Sequence, residues 1–312
     1  MKNSRLLAQF GLIFTTAIWG STFLLVQDSV SNETSPLLFI FFRFIIAALV
    51  LTPLLFKREN KTFIIENFNR AEVRFGFVCG LFLFIGYLFQ TYGLQYTLDT
   101  KSAFITGTSV LIVPIIIYFY KNDKISYKLW LSILIVIAGL YLFQEPGKVL
   151  TQNIGQDNLA KKVAPNIGDL LTFGCAFFFA VHIVSQSDAV KHKINLIRFL
   201  VIQFLTVALI SGFFSIILND FVITWSSQVI ISLIINGVFA SAVAILIMVW
   251  AQKILTAGET AIIFSLEPIF ALIFSIFMHS IRGLDSHVGM SQWIGGVLVV
   301  IAVIYYSLSV KK

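Results

Sequence analysis

Long apolar runs dominate the chain, and each has about the length of a helix that crosses a membrane. A helix rises about 1.5 Å per residue, so a bilayer core of ~30 Å requires roughly 20 mostly apolar residues. Spans of this length are too long for strands, and a closed barrel would instead show alternating hydrophobicity. The ten predicted spans are residues 6–26, 36–56, 75–96, 102–120, 127–143, 167–184, 196–218, 229–252, 257–278 and 293–308.

The longest polar stretch lies between the fifth and sixth spans, at residues 144–166. It contains two prolines, two glycines and charges of both signs, as expected of a linker. The sequence therefore predicts two five-helix units, residues 1–143 and 167–312, joined by the linker 144–166.

The two units resemble each other. Trp19 aligns with Phe179 at an offset of 160, and Pro114 aligns with Pro268 at an offset of 154. The motif "RFIIAALV" of the second span matches "QFLTVALI" of the seventh, and "WLSILIVIAG" of the fifth matches "WIGGVLVVIA" of the tenth. Four matches in the same order with nearly constant offsets indicate an internal repeat.

Composition and charge agree with a membrane protein. The chain is 58% hydrophobic, has 32 phenylalanines and is only 12% charged, whereas soluble domains carry about 25% charged residues. The net charge is +7, but the basic residues form short clusters between apolar runs. This pattern is typical of membrane topology, and we expect no nucleic-acid partner.

The Lys and Arg distribution predicts the orientation. With both termini in the cytoplasm, sixteen of the 22 basic residues lie on the cytoplasmic side, five lie outside and Arg43 lies within a span. We expect a multi-pass protein of the inner membrane, whose first span is a retained helix rather than a signal peptide. Each unit has five spans, so the two units would lie in opposite orientations, as in many secondary transporters.

Glu267 is the charged residue nearest the centre of a predicted span. A charge at this depth costs about 2.5–3.5 kcal/mol on insertion scales, so it tends to face a wet cavity or to pair within the bundle. Two roles stay open: Glu267 binds a cationic group or a proton on a transport pathway, or it ties its helix to a neighbour. Proton coupling of transport is therefore one possibility.

Other polar and aromatic residues complete the predicted site. Arg43 suits either a substrate carboxylate or a structural tie, and His182 either a gate or a bond between helices. Pro114 and Pro268 predict two equivalent kinks that act as hinges or merely shape their helices. The remaining candidates offer aromatic walls and polar contacts, although each could serve packing alone; they are Trp19, Tyr87, Gln90, Thr106, Ser109, Phe179 and Trp250.

Motifs of several enzyme classes are missing from the sequence. No "GxxxxGK[ST]" loop or metal-ligand spacing occurs, so we expect neither an ATPase nor a metal site nor a cofactor. Cys79 and Cys175 lie within apolar spans and offer no disulfide framework. The chain is predicted not to be an enzyme.

Several segments resemble the EamA-type branch of the drug/metabolite transporter superfamily. They are "AIWGSTFLLVQ", "PLLFIFFRFIIAAL", "GLQYTLDTKSAFITGTSVLIVP", "GDLLTFGCAFFFAVHIV" and "TAIIFSLEPIFALIF". The resemblance covers nearly the whole chain and implies an all-α, ten-helix inverted repeat with a central cavity. It also implies a carrier of small metabolites, many relatives being exporters of amino acids.

The leading hypothesis is a secondary transporter that exports a small metabolite, such as an amino acid, by alternating access. The expected partners are that small molecule and membrane lipid. Two alternatives stay open: an uptake carrier, for example of a nucleotide-like metabolite, and a membrane sensor or assembly protein that transports nothing.

Overall fold

The computed structural model describes most of the chain. The described residues are 2–31, 34–59, 62–65, 68–121, 126–143, 165–283 and 288–309. Most of the predicted linker, residues 144–164, lies outside them.

Thirteen α-helices form the described part of the chain. In the first half they are α1 (Lys2–Ser31), α2 (Pro36–Leu51), α3 (Arg70–Tyr96), α4 (Asp99–Gly107), α5 (Ser109–Lys121) and α6 (Tyr127–Phe143). In the second half they are α7 (Ile167–Ala189), α8 (Leu196–Ile217), α9 (Ser227–Ile234), α10 (Ala244–Ala251), α11 (Ala257–Phe264), α12 (Glu267–Ile281) and α13 (Met290–Ser309).

Helical spans confirm the predicted all-α membrane architecture. Nine helical segments among the described residues are long and apolar enough to cross a membrane, and a shorter apolar helix covers Tyr127–Leu142. Three features were not predicted. A 3₁₀ turn (Thr52–Leu55) follows α2, the hairpin strands β1 (Phe56–Glu59) and β2 (Thr62–Ile65) lie before α3, and a π-helical segment (Ile235–Val243) joins α9 to α10.

Two of the predicted spans are interrupted, and the interruptions differ from the prediction. The fourth span breaks at Thr108, six residues before Pro114, which lies inside α5. The ninth breaks at Ser265 and Leu266, so that Pro268 lies in the first turn of α12. Proline is favoured at that position, because its missing N–H would have no partner there. The two prolines are therefore not equivalent, and only Pro268 marks a break.

Sequence-encoded caps fix the start of three helices. Asn69 with Glu72, Asn166 with Asp169 and Thr256 with Glu259 form capping boxes at α3, α7 and α11. In each box the first residue accepts a bond from the helix backbone, and the acid three residues later accepts one from the cap amide. These acids stay buried or half-buried because the helix ends supply their donors.

The helices of the two halves pack against one another rather than forming two separate bundles. The helix α3 packs on α7 and α8, α2 packs on α8, and α1 packs on α10 and α12. Gly20 makes the last crossing possible, because a Cβ there would lie 2.8 Å from the Ala271 nitrogen and 2.9 Å from the Glu267 oxygen. The helices α6 and α13 pack chiefly on each other, at the side of the bundle.

Candidate functional site

A central cavity lies where helices of both halves meet. It encloses about 570 Å³ of space not filled by atoms, including the part that is open to solvent. The spans that line it are the first, second, third, fourth, sixth, eighth and ninth. Its walls are formed by Trp19, Thr22, Phe23, Arg43, Leu83, Tyr87, Gln90, Thr106, Ser109, Phe179, His182, Ile183, Ile245, Met248, Phe264 and Glu267.

Aromatic rings give the cavity two apolar walls. The Trp19 ring meets the Phe264 ring edge-on at 4.9 Å between centroids, and Tyr87 meets Phe179 at 5.0 Å. The Phe179 ring also lies against Gly86, where a Cβ would come within 2.3 Å of it. A glycine is therefore needed at this point of α3 for the ring to keep its position.

Arg43 contributes a buried positive charge to the cavity wall. Its side chain is 2% exposed. Its Nε donates to Ser241 Oγ at 2.8 Å, and its Nη2 donates to Tyr87 Oη at 2.9 Å. The guanidinium carbon also lies 4.1 Å from the centroid of the Tyr87 ring, a cation–π distance. Neutral groups thus hold Arg43 in place, and its charge is left to face the cavity.

The π-helical segment places two of the polar groups that organise the cavity. Ser241, which accepts the Arg43 bond, belongs to this segment. So does Ala240, whose carbonyl oxygen accepts a 2.7 Å bond from the Trp19 indole nitrogen. The wider turn of a π-helix displaces backbone groups from their regular partners, which is why such segments often occur at functional sites.

Glu267 contributes a carboxyl group on the second-half side of the cavity. It is the first residue of α12 and is 7% exposed. The position favours a carboxylate, because the amino end of a helix carries partial positive charge. Within the described residues the structure gives the Glu267 carboxylate no hydrogen bond from another helix. The alternative role as a tie between helices therefore lacks a donor here.

His182 has a partner behind the cavity wall. Its Nε2 lies 3.2 Å from Gln203 Nε2, which joins α7 to α8. Four residues after His182 in α7, Gln186 Nε2 donates to Gln252 Oε1 at 3.1 Å. Gln252 Nε2 in turn donates to the Ile183 carbonyl oxygen at 3.1 Å. These bonds fit the predicted role of His182 as a contact between helices, while its position still exposes one face to the cavity.

The structure brings eight of the nine predicted binding residues to one cavity, together with Arg43. The exception is Trp250, which lies in an outer groove formed by α8 and α10, beside Leu246 and Lys253. Its ring packs toward Gly11 of α1, on the far side of α10 from the cavity. The predicted placement of Trp250 in the central site is therefore wrong. Pro114 and Pro268 are buried but do not line the cavity.

Several lining residues were missed by the prediction. Thr22 and Phe23 follow Trp19 at helical spacing, as Met248 follows Ile245. The same spacing rule that links Tyr87 to Gln90 could have found them. The spacing rule could not have distinguished these lining residues from packing residues, because such residue types are apolar or common in membrane helices.

Comparison with known proteins decides the family. The model of the EamA-like transporter family matches twice, at residues 6–144 and 166–308. The chain belongs to the EamA-like transporter family. This EamA-like protein is 31% identical to an uncharacterized transporter of Archaeoglobus fulgidus, over 98% of the chain and 87% of that protein.

Further relatives agree with this assignment. The uncharacterized transporter YoaV of Bacillus subtilis is 25% identical, with 85% of this chain and 86% of YoaV covered. A solved crystal structure superposes with a TM-score of 0.69 at 16% identity, covering 99% of this chain and 98% of its own. The likeness to the solved structure concerns the fold alone. The family membership makes this EamA-like chain a multi-pass membrane transporter.

Proposed function

We propose that the chain is a secondary transporter whose two halves are inverted repeats that move around the central cavity. Its substrate would be a small metabolite with charged and apolar parts, such as an amino acid, and export is the proposed direction. The observation that carries this proposal is the cavity itself, where Arg43 and Glu267 lie among aromatic walls. A buried guanidinium and a buried carboxyl group suit a substrate with a carboxylate and an ammonium group.

The pattern of helix contacts supports the inverted halves. We number the spans one to ten, span four being α4 with α5, span eight α9 to α10 and span nine α11 with α12. A repeat exchanges spans one to five with spans six to ten. Span three packs on spans six and seven, and, as the exchange requires, span eight packs on spans one and two. Span four packs on span six, and span nine packs on span one.

The positions of the two family matches support the proposed boundaries of the halves. The family model matches once on each side of residues 145–165, which fall within the proposed linker 144–166. With five spans on each side, the two halves would lie in opposite orientations and both chain ends on one face, proposed to be the cytoplasmic one.

A transport assay in liposomes tests the proposal. We expect the purified protein to exchange radiolabelled amino acids across the bilayer, and Glu267→Gln to lower the exchange at least tenfold or to remove its dependence on pH. The physical reason is that the amide cannot bind a proton or neutralise a cation. Flux that varies with pH in the wild type but not in the variant would support proton coupling through Glu267.

The control is Trp250→Phe, which changes a large aromatic side chain outside the cavity. This variant should exchange substrate as the wild type does. Failure of the correctly inserted wild type to move any member of a broad metabolite panel would contradict transport. Normal exchange and normal pH dependence in Glu267→Gln would remove Glu267 from the site while leaving transport intact.

A further inference from the structure

Two ion pairs join the two halves, one near each end of the spans that line the central cavity. We define the N-terminal face as the membrane face at which α1 begins; the other is the opposite face. At the N-terminal face Arg5 Nη2 bonds Glu259 Oε1, joining the starts of α1 and α11. At the opposite face Lys101 Nζ bonds Asp169 Oδ2 at 2.7 Å, joining the starts of α4 and α7.

The proposed repeat relates these two pairs. It exchanges span one with span six and span four with span nine, so α1 with α11 corresponds to α7 with α4. Lys101 is the third residue of α4, Asp169 the third of α7 and Glu259 the third of α11. The sign of the charges is reversed between the two pairs, but each joins a helix of the first half to a helix of the second.

The same helices line the cavity further along their length. Arg5 lies 14 residues before Trp19, about 21 Å along α1 at 1.5 Å per residue. Asp169 lies ten residues before Phe179, about 15 Å along α7 in the opposite direction through the membrane. Each ion pair therefore joins the two halves at a distance of several helical turns from the cavity, toward opposite ends of the lining helices.

We propose that Arg5–Glu259 and Lys101–Asp169 are the two gates of the transport cycle, each broken only while the cavity is open to its own face. Both pairs are formed in this structure. The proposal rests on the proposed function, since a gate has meaning only for a carrier. It identifies positioning residues rather than substrate contacts.

The burial of the pairs fits a gate that can open. The side chains of Lys101 and Asp169 are 14% and 18% exposed, and that of Arg5 is 31% exposed although Glu259 is 2% exposed, so water can reach the cations once the helices part. Each acid also keeps bonds of its own. Glu259 Oε2 accepts from the Thr256 amide at 3.0 Å, and Asp169 accepts from Thr97 and from the Asn166 amide. Glu259 Oε2 and Asp169 therefore keep these partners when the cations leave.

Two other ion pairs differ in ways that suit fixed ties. The Glu72 carboxylate accepts two bonds from Arg198 and one each from the Asn69 and Asn195 amides, whereas each gate acid accepts one bond from its cation. Breaking this buried Arg198–Glu72 pair would be costly in free energy, because it leaves a buried charge unpaired. Asp28 bonds Arg282 at the opposite face and so joins the far ends of α1 and α12.

Accessibility of the cavity tests the gates without a substrate. Ser109→Cys is placed in a background with Cys79→Ala and Cys175→Ser, and its reaction with a membrane-impermeant thiol reagent is measured from each face of oriented vesicles. Thr22→Cys is a second reporter in case the first fails to insert. Arg5→Gln and Lys101→Gln remove one cation each and leave the capping acids in place.

Arg5→Gln should raise labelling from the N-terminal face and lower it from the opposite face, and Lys101→Gln should do the reverse. A change of about tenfold corresponds to 1.4 kcal/mol. Arg5→Lys and Lys101→Arg keep the charges and should restore the wild-type rates. Arg282→Gln removes an ion pair at the same face as Lys101 and should shift neither rate.

Equal effects of both variants at both faces, or no effect of either in correctly folded protein, would overturn the gates. Failure of the proposed function would look different. Labelling would then shift as expected while no metabolite is exchanged. Exchange that proceeds normally while labelling ignores Arg5→Gln and Lys101→Gln would instead remove the gates and keep the carrier.

Discussion

At the scale of single residues, the cavity depends on how Arg43 is held. Tyr87→Phe removes one acceptor from a buried guanidinium, and a hydrogen bond to a charged group contributes about 1.5–3 kcal/mol. We expect the midpoint of thermal unfolding in detergent to fall by several degrees. Tyr96→Phe removes a hydroxyl from a ring that is 49% exposed and should leave the midpoint unchanged. Equal midpoints for the two variants would show that the Arg43–Tyr87 bond contributes nothing.

Residue types at helical spacing were enough to predict most of the cavity. Tyr87 and Gln90 share a face of α3, and the repeat pairs Trp19 with Phe179, so both rings were expected at one interface. Trp250 failed because nothing in the sequence distinguishes the cavity side of α10 from the side that faces α1. The sequence also could not predict Ser241 and Ala240 as the hydrogen-bond partners of Arg43 and Trp19, because a π-helical segment has no clear signature in this sequence.

At the scale of helices, the crossing of α1 and α12 depends on Gly20. A Cβ there would lie 2.6 Å from Phe270 Cβ and 2.8–2.9 Å from backbone atoms of α12, which cannot rotate away. Gly20→Ala should therefore separate the helices and sharply lower the yield of folded protein on size-exclusion chromatography. Gly174→Ala is the control, since its Cβ would meet only the Phe89 ring at 3.3 Å.

The control should fold as the wild type does, because alanine favours a helix by about 1 kcal/mol over glycine. Equal yields for the two alanine variants would mean that α1 and α12 tolerate a wider separation.

Sequence alone identified the spans that contain α1 and α12 by their apolar length. It placed the break of the fourth span at Pro114 because proline is the usual cause, whereas the structure ends α4 at Gly107, which packs on Pro268.

At the scale of the whole molecule, the inverted arrangement requires α6 to cross the membrane. This helix has 17 residues, about 25 Å at 1.5 Å per residue, slightly less than a ~30 Å core. A protease site inserted within residues 144–164 should be cut only from the opposite face. The matched site within residues 122–125 should be cut only from the N-terminal face.

Cleavage of both sites from one face would show that α6 does not cross the membrane, and the first half would then have four spans while the second has five. The sequence predicted ten spans because the 17 residues of α6, most of them apolar, lie at the lower end of the range of about 17–25 seen for membrane helices. It could not establish how the halves interlock, since contacts such as α3 with α7 join residues far apart in the chain.

The helices α6 and α13 contribute no side chain to the described cavity and pack chiefly on each other. Their outer faces carry large apolar residues such as Trp293, Leu134 and Ile304, which meet lipid in a bilayer. Sequence differences between relatives should therefore accumulate on the outer faces of α6 and α13, where one apolar side chain can replace another without contacting the substrate. Gly139 is the exception: it lies against the Gly295 oxygen, so a bulkier residue there would push the pair apart.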